Sequence, residues 1–156
     1  MSNVRRLEGV LLRITVPMFE KGRSFVMAGG LVKAYEGHRF VYLHLMCQGL
    51  ECIGKSLLLA HDYKRYEPKL RKPYGHDLEL LVAEVDRNAG AAFLSRQATR
   101  ELKSLNVFYK NHILRYGNAA DFKIESSRVV ADHLHSDLVG CLTALNQKFS
   151  VYESDA

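Results

Sequence analysis

The chain contains few residues that interrupt helices, because its 156 residues include only three prolines, at positions 17, 68 and 73. It also has no apolar stretch close to the ~20 residues that a membrane-spanning helix needs. Met1 to Arg6 is followed by an interrupted apolar run, which does not resemble a secretory signal peptide. We therefore expect a cytoplasmic protein with no membrane partner.

Cysteine is scarce and odd in number, since Cys47, Cys52 and Cys141 show no paired spacing. All three fall on apolar faces of predicted helices, which indicates reduced thiols in the core. His44, Cys47 and Glu51 are spaced three and four residues apart, but no further ligand is evident, so we expect no metal. A phosphate-binding glycine loop, a nucleophile elbow and paired carboxylates are also missing from the sequence, and we expect no cofactor.

The length and composition suit one soluble domain that buries a core of its own. Hydrophobic residues make up 47% of the chain and charged residues 25%. There are 22 basic against 17 acidic residues, which gives a formal net charge of +5. This surplus favours an anionic partner.

Apolar residues recur every three to four positions along most of the chain, which predicts an all-α protein. Short loops between long amphipathic helices favour an up-and-down bundle, here of about five helices. Residues 4–16 fit a helix or a strand, and 150–156 form a polar tail. The predicted helices are 17–35 with Pro17 in its first turn, 38–61, 76–88, 94–116, and a last helix that Ser126 or Ser127 caps and that ends near residue 149.

Two details inside the predicted helices bear on packing. Gly29 and Gly30 weaken their helix, so we expect a neighbouring helix to pack tightly there. Glu51 and Lys55 lie four residues apart in the favoured order for a helical ion pair. If exposed, such a pair contributes only ~0.3–0.5 kcal/mol.

The loop between the second and third predicted helices, residues 62–75, is strongly basic and rich in tyrosine. If the helices alternate in direction, this loop and the loop 117–126 lie at one pole of the bundle. Cations there would neutralise phosphates, and tyrosine rings would stack on unpaired bases. The alternative is a solvated loop whose tyrosines cover the end of the bundle. The predicted nucleic-acid-binding residues are Lys64, Arg65, Lys69, Arg71, Lys72, Tyr74, His76, Lys110, Arg115 and Tyr116.

Three short motifs resemble those of the HEPN family (higher eukaryote and prokaryote nucleotide-binding). The first is the helix Gln48–Leu58, which contains Glu51-x3-Lys55. The second is the helix start His76-Asp77-Leu78, and the third is the turn Arg115-Tyr116-Gly117-Asn118. The resemblance covers about residues 18–149 and implies a helical bundle. It does not settle an activity, because HEPN proteins include ribonucleases, toxins and binding modules without catalytic activity.

The catalytic motif of HEPN ribonucleases is an arginine followed, after four to six residues, by a histidine. In the family these residues face each other across a dimer and cleave RNA without a metal. No histidine follows Arg115 at that spacing, and its turn resembles the Arg-Tyr turn of a branch without the catalytic histidine, with Gly117 replacing proline. The best remaining pair is Arg128 with His133 or His135. On a helix, seven residues nearly complete two turns, so Arg128 and His135 share a face.

The function that the resemblance and the charge together favour is a HEPN-like accessory or toxin-system protein. It would bind RNA or nucleotide phosphates through the basic pole, most simply as a homodimer. Two alternatives stay open. One is a metal-independent endoribonuclease, and the other is a protein-interaction module paired with a nucleotidyltransferase-like protein.

Overall fold

The computed structural model describes the backbone of residues 2–116 and 129–153, and the side chains of 15–115 and 129–146. Within these ranges every regular element is helical, so the predicted all-α class is confirmed. A short 3-10 turn, Glu67–Lys69, follows the third helix. The α-helices are α1 Ser2–Ala34, α2 Arg39–His61, α3 Tyr63–Tyr66, α4 Leu78–Ala89, α5 Arg96–Lys110, α6 Ile113–Tyr116 and α7 Asp132–Glu153.

Helix α1 is longer than the sequence predicts. It spans 33 residues without a break and contains Pro17 in its interior. The segment 4–16, for which strand and helix were both open, is therefore helical. The expectation that Pro17 starts a helix is wrong, because the helix tolerates the missing backbone N–H at this position.

Helices α1 and α2 approach closely through facing glycines. A Cβ atom on Gly22 would lie 2.8 Å from Ile53 Cγ1 and 3.0 Å from the backbone oxygen of Gly49. A Cβ on Gly49 would lie 2.5 Å from Cγ2 of Val26. Tight packing at Gly29, as the sequence predicts, is confirmed, since a Cβ there would collide with the side chain of Met46.

The apolar faces of all the long helices meet in one core. Cys47 is buried in it, while Cys52 and Cys141 are half-buried, and none of the three forms a disulfide. Burial raises the pKa of each of these thiols. Fully buried members of the core include Phe19, Leu43, Met46, Leu50, Ile53, Leu58, Leu78, Leu81, Leu102, Leu105, Leu134 and Leu138.

The helices do not alternate throughout, because α4 runs in the same direction as α2. Gly54 faces Leu81 near the start of α4, and His61 at the end of α2 lines the same cleft as Ala89 at the end of α4. The segment 62–77 therefore returns along the bundle instead of closing one pole. Its anchor is Tyr66, whose hydroxyl donates to Glu84 Oε1 over 2.5 Å in the second half of α4.

The chain after α5 also departs from the predicted single helix 94–116. Helix α5 ends at Lys110, and α6 begins at Ile113 after His112, whose φ of 59° lies in the left-handed region. Helix α7 begins at Asp132, and the predicted caps Ser126 and Ser127 lie outside the described residues. No helix in the described ranges combines the length and the apolar character needed to cross a membrane.

Candidate functional site

A buried carboxylate, Glu51, is the centre of a polar cluster between α2, α5 and the end of segment 62–77. Its Oε1 accepts a hydrogen bond from Lys55 Nζ over 2.7 Å. Its Oε2 accepts from the hydroxyl of Tyr109 over 2.5 Å and lies 2.9 Å from Nδ1 of His76. The side chain of Glu51 is only 11% exposed and that of Lys55 only 13%. Three partners thus converge on one carboxylate.

The end of segment 62–77 is fixed from both sides, which positions His76. Lys55 Nζ donates a second hydrogen bond, to the backbone oxygen of Gly75, over 2.7 Å. Asp77 caps α4 by accepting from the backbone N–H of Leu80, as a helix start requires. Asn106 of α5 accepts from the N–H of Leu78 over 2.8 Å and donates to Asp77 over 3.0 Å.

The hydrogen bonds keep Glu51 ionised. Burial alone would raise the pKa of this carboxyl, but the hydrogen bonds from Lys55, Tyr109 and His76 together lower it below its ordinary value of 4.5. An ionised carboxylate only accepts hydrogen bonds. Nδ1 of His76 must therefore carry the donated proton, which leaves Nε2 available for another partner. Burial, followed by the charge of Glu51, raises the pKa of Tyr109, so its hydroxyl stays protonated.

Two further imidazoles lie around this centre. His112 contacts His76 edge to face, with 5.0 Å between ring centroids, and both side chains are exposed. His44 of α2 lies 5.6 Å from the ring of Tyr109 on the inner side. Its Nδ1 is buried and has no hydrogen-bond partner among the described residues. Burial, assisted by the charge of Arg115, lowers the pKa of His44, which favours the neutral ring.

One cation of α5 reaches the edge of the cluster. Lys110 Nζ lies 3.4 Å from Oδ2 of Asp77, so the end of α5 contacts the end of segment 62–77. In segment 62–77, the side chains of Lys64, Lys69, Arg71 and Lys72 are exposed. None of these four forms an ion pair with a carboxylate in the parts of the chain that the structure describes.

Arg65 and Tyr74 contribute differently from the prediction. Arg65 lies 3.7 Å from Glu84 Oε1 and stacks over the ring of Tyr66, so its charge is partly matched. Tyr74 is only 7% exposed and packs against Tyr66, with 6.4 Å between the rings. As folded, its ring cannot stack on a base. The tyrosines at 66 and 74 instead anchor the segment along α4, and the side chain of Tyr116 lies outside the described residues.

The two predicted catalytic histidines contact different side chains. Nδ1 of His133 lies 2.8 Å from Glu101 of α5, whereas Nδ1 of His135 lies 3.2 Å from the hydroxyl of Tyr42 on α2. The two histidines thus face different neighbours and have structural partners. Arg128 lies outside the described residues.

The central role of Glu51 was not predicted from the sequence, which indicated only a helical ion pair with Lys55 and left its burial open. The signal was available, since Glu51 lies between Leu50 and Ile53 on the most apolar helix, where a charge needs buried partners. No group of three or more His, Cys, Asp or Glu in the described ranges is arranged to hold a metal ion. Comparison of the chain with protein-family models, curated proteins and solved structures gives no match.

Proposed function

We propose that this protein binds the phosphate groups of RNA or nucleotides through a basic surface. This surface consists of Lys64, Lys69, Arg71 and Lys72, together with Lys110 and Arg115 at the end of α5 and in α6. The observation that carries the proposal is that four of the five cations of segment 62–77, all except Arg65, have no carboxylate partner within the described residues. Cations on the protein attract the phosphates of the nucleic acid. Binding then releases the counterions that were condensed on those phosphates, which favours the complex.

The anchoring of the segment supports binding by charge more than by base recognition. Tyr66 is fully buried and Tyr74 nearly so, which fixes the backbone between them. The cations between them, Lys69, Arg71 and Lys72, are exposed, whereas neither tyrosine offers a free ring. Phosphate contacts give affinity but carry no sequence information. We therefore propose that binding has little preference for base sequence.

The proposed test replaces Lys69, Arg71 and Lys72 together with alanine. For single-stranded RNA, each lost phosphate contact reduces the slope of log affinity against log salt by about 0.7, so we expect a reduction of about two. The matched control replaces Arg96, Arg100 and Lys103 with alanine. It removes the same amount of positive charge, but from exposed positions on α5. An equal loss in both variants, or unchanged affinity in the first, would contradict the proposal.

We further propose that the protein acts as a homodimeric accessory or toxin-system protein of HEPN type. An apolar stripe is formed by Met27 and Leu31 on α1 and by Tyr35 directly after it, which are 60%, 61% and 83% exposed. Exposed apolar stripes of this kind favour protein contacts. Light scattering at micromolar concentration is expected to show a dimer that Leu31→Lys weakens and Leu80→Lys, on α4, does not. A monomer that captures a nucleotidyltransferase-like protein would favour the interaction-module alternative.

A further inference from the structure

The paired imidazoles above Glu51 suggest a more specific role than a general basic surface. We propose that His76 and His112 form a phosphate-binding site that takes up a proton when the phosphate binds. This inference rests on the proposed function, because it assigns the phosphate to the same RNA or nucleotide ligand. It adds two residues that contact the phosphate and one, Glu51, that positions His76.

The contact with Glu51 fixes the orientation of the His76 ring. Its Nδ1 lies 2.9 Å from Glu51 Oε2, and Lys55 and Tyr109 hold that carboxylate in place. His76 therefore presents Nε2 as its unused nitrogen. Because its side chain is 46% exposed, a ligand from solvent can reach the ring.

His112 lies beside His76 at the junction of α5 and α6. Its φ of 59° is uncommon for a residue other than glycine, although histidine adopts it more readily than most. This backbone conformation interrupts the helix and leaves the ring exposed against His76. Two neighbouring imidazoles repel each other when both are protonated. An anion that contacts both rings removes that repulsion, so its binding and proton uptake are coupled.

Charged groups from several elements lie around the pair. Glu51 and Lys55 face His76 from α2, where His44 also contributes, while Asp77 precedes α4. Lys110 and Arg115 approach from α5 and α6. Glu51 is paired with Lys55 and Asp77 with Lys110, while Glu79 accepts a hydrogen bond from Asn106. The two ion pairs reduce the repulsion that Glu51 and Asp77 offer to an incoming anion.

Phosphate is the anion that these groups suit best. Protonated imidazoles donate hydrogen bonds to phosphate oxygens, and His76 continues directly from the segment that contains Lys69, Arg71 and Lys72. A metal ion is a poorer fit, because no group of three suitable ligands exists within the described ranges. Imidazoles change charge between about pH 5 and 8. Phosphate affinity should consequently rise as the pH falls through that range.

The first experiment uses dimethyl phosphate and the imidazole signals of the intact protein in proton NMR. This diester carries one negative charge at both pH values, whereas a phosphate with a second ionisable proton, whose pKa is about 6 in a monoester, would add a pH dependence of its own. At about pH 6, dimethyl phosphate should shift the signals of His76 and His112 and leave those of His61 unchanged. Affinity should be about tenfold higher at about pH 6 than at about pH 8, since one proton taken up changes the constant by at most tenfold per pH unit. His76→Gln and His112→Asn should each abolish most of this pH dependence. Asparagine also tolerates a positive φ.

The control His61→Gln changes an exposed histidine at the far end of α2 and should leave the pH dependence intact. Circular dichroism confirms that each variant is folded. Dimethyl phosphate that shifts neither signal, or a pH dependence that survives in both site variants, would overturn the inference. Because this measurement uses no RNA, it can succeed even if the basic surface does not bind RNA.

A second experiment identifies the source of the phosphate. Short single-stranded RNAs with a 5′-phosphate, a 3′-phosphate or two hydroxyl ends are compared at both pH values. Equal pH-dependent affinity for all three supports an internal backbone phosphate, and affinity that needs one end supports a terminal phosphate. Pronounced RNA binding without any pH dependence would leave the basic surface supported and would reject the histidine site.

Discussion

The hydroxyl of Tyr109 donates a hydrogen bond of 2.5 Å to the carboxylate of Glu51, although 58 residues separate them in the chain. This bond joins α5 to α2 beneath His76. It also satisfies a buried charge that would otherwise destabilise the core. The candidate phosphate site and the packing of the bundle therefore depend on the same carboxylate.

Removal of that hydroxyl is expected to lower stability without disturbing the ring packing. Tyr109→Phe should reduce the free energy of unfolding by about 2 kcal/mol, because a hydrogen bond to a charged group is lost from a buried place. Urea denaturation followed by circular dichroism measures the change. Tyr35→Phe is the control, since Tyr35 is 83% exposed and its change should be within about 0.5 kcal/mol. Equal effects in the two variants would argue against the central role of Glu51.

Glu51→Gln should lower the free energy of unfolding more at neutral pH than in acid. It leaves the charge of the nearly buried Lys55 unmatched, which should reduce the free energy of unfolding by about 2–4 kcal/mol at about pH 7. The pKa of Glu51 is lowered by folding, so its contribution is present above the ordinary carboxyl pKa and is lost as the pH falls through the lowered value. Urea denaturation at several pH values should show the gap from wild type narrowing below about pH 4.5. A gap that stays constant down to about pH 3 would contradict this ionisation.

Two glycine substitutions should change stability in opposite directions. In Gly22→Ala, the new Cβ would lie 3.0 Å from both Gly49 O and Ile53 N, backbone atoms that cannot move aside easily. We expect a loss of about 1–3 kcal/mol from this overpacking. Gly140→Ala meets nothing within 4 Å in α7 and should gain about 0.5–1 kcal/mol from helix propensity. Thermal unfolding of both variants measures these changes and tests whether the close approach of α1 and α2 leaves no space for a Cβ atom at Gly22.

Local patterns in the sequence predicted the helices well where periodicity and capping agree. Helix α2 was predicted at 38–61 and lies at Arg39–His61, and the helix predicted at 76–88 lies at Leu78–Ala89. The course of segment 62–77 was not predictable in the same way. It depends on the contact of Tyr66 with Glu84, which a local pattern does not reveal.

The candidate site was predicted in part for the same physical reason. The cations of segment 62–77 and the approach of Lys110 follow from composition and helix ends. The convergence of His76 and Tyr109 on Glu51 instead depends on which helix faces touch. Periodicity identifies the apolar face of each helix but not which helix packs against it. Because α2 and α4 run parallel, the helix contacts differ from those of the predicted up-and-down bundle.

The last prediction separates RNA binding from RNA cleavage. His133 contacts Glu101, which also accepts from the backbone N–H of Leu134 at the start of α7, and His135 contacts Tyr42. Because both rings have structural partners on different helices, we expect His133→Gln and His135→Gln to leave RNA affinity unchanged. Each should reduce the free energy of unfolding by about 1 kcal/mol, the contribution of one hydrogen bond. Gel electrophoresis of a mixed RNA pool incubated with the wild type in EDTA should show intact RNA.

The opposite outcome of the same assay is equally specific. A second variant combines His133→Gln with His135→Gln. If the wild-type protein cleaves RNA in EDTA and this double variant binds RNA but does not cleave it, His133 and His135 are catalytic. They would then act as proton carriers on the transferring phosphate, with Arg128 as a source of positive charge. Cleavage that survives the double variant but disappears in His76→Gln would instead place the chemistry at the cluster around Glu51. The three outcomes are distinguished by one binding measurement and one gel for each variant, with His61→Gln as the common control.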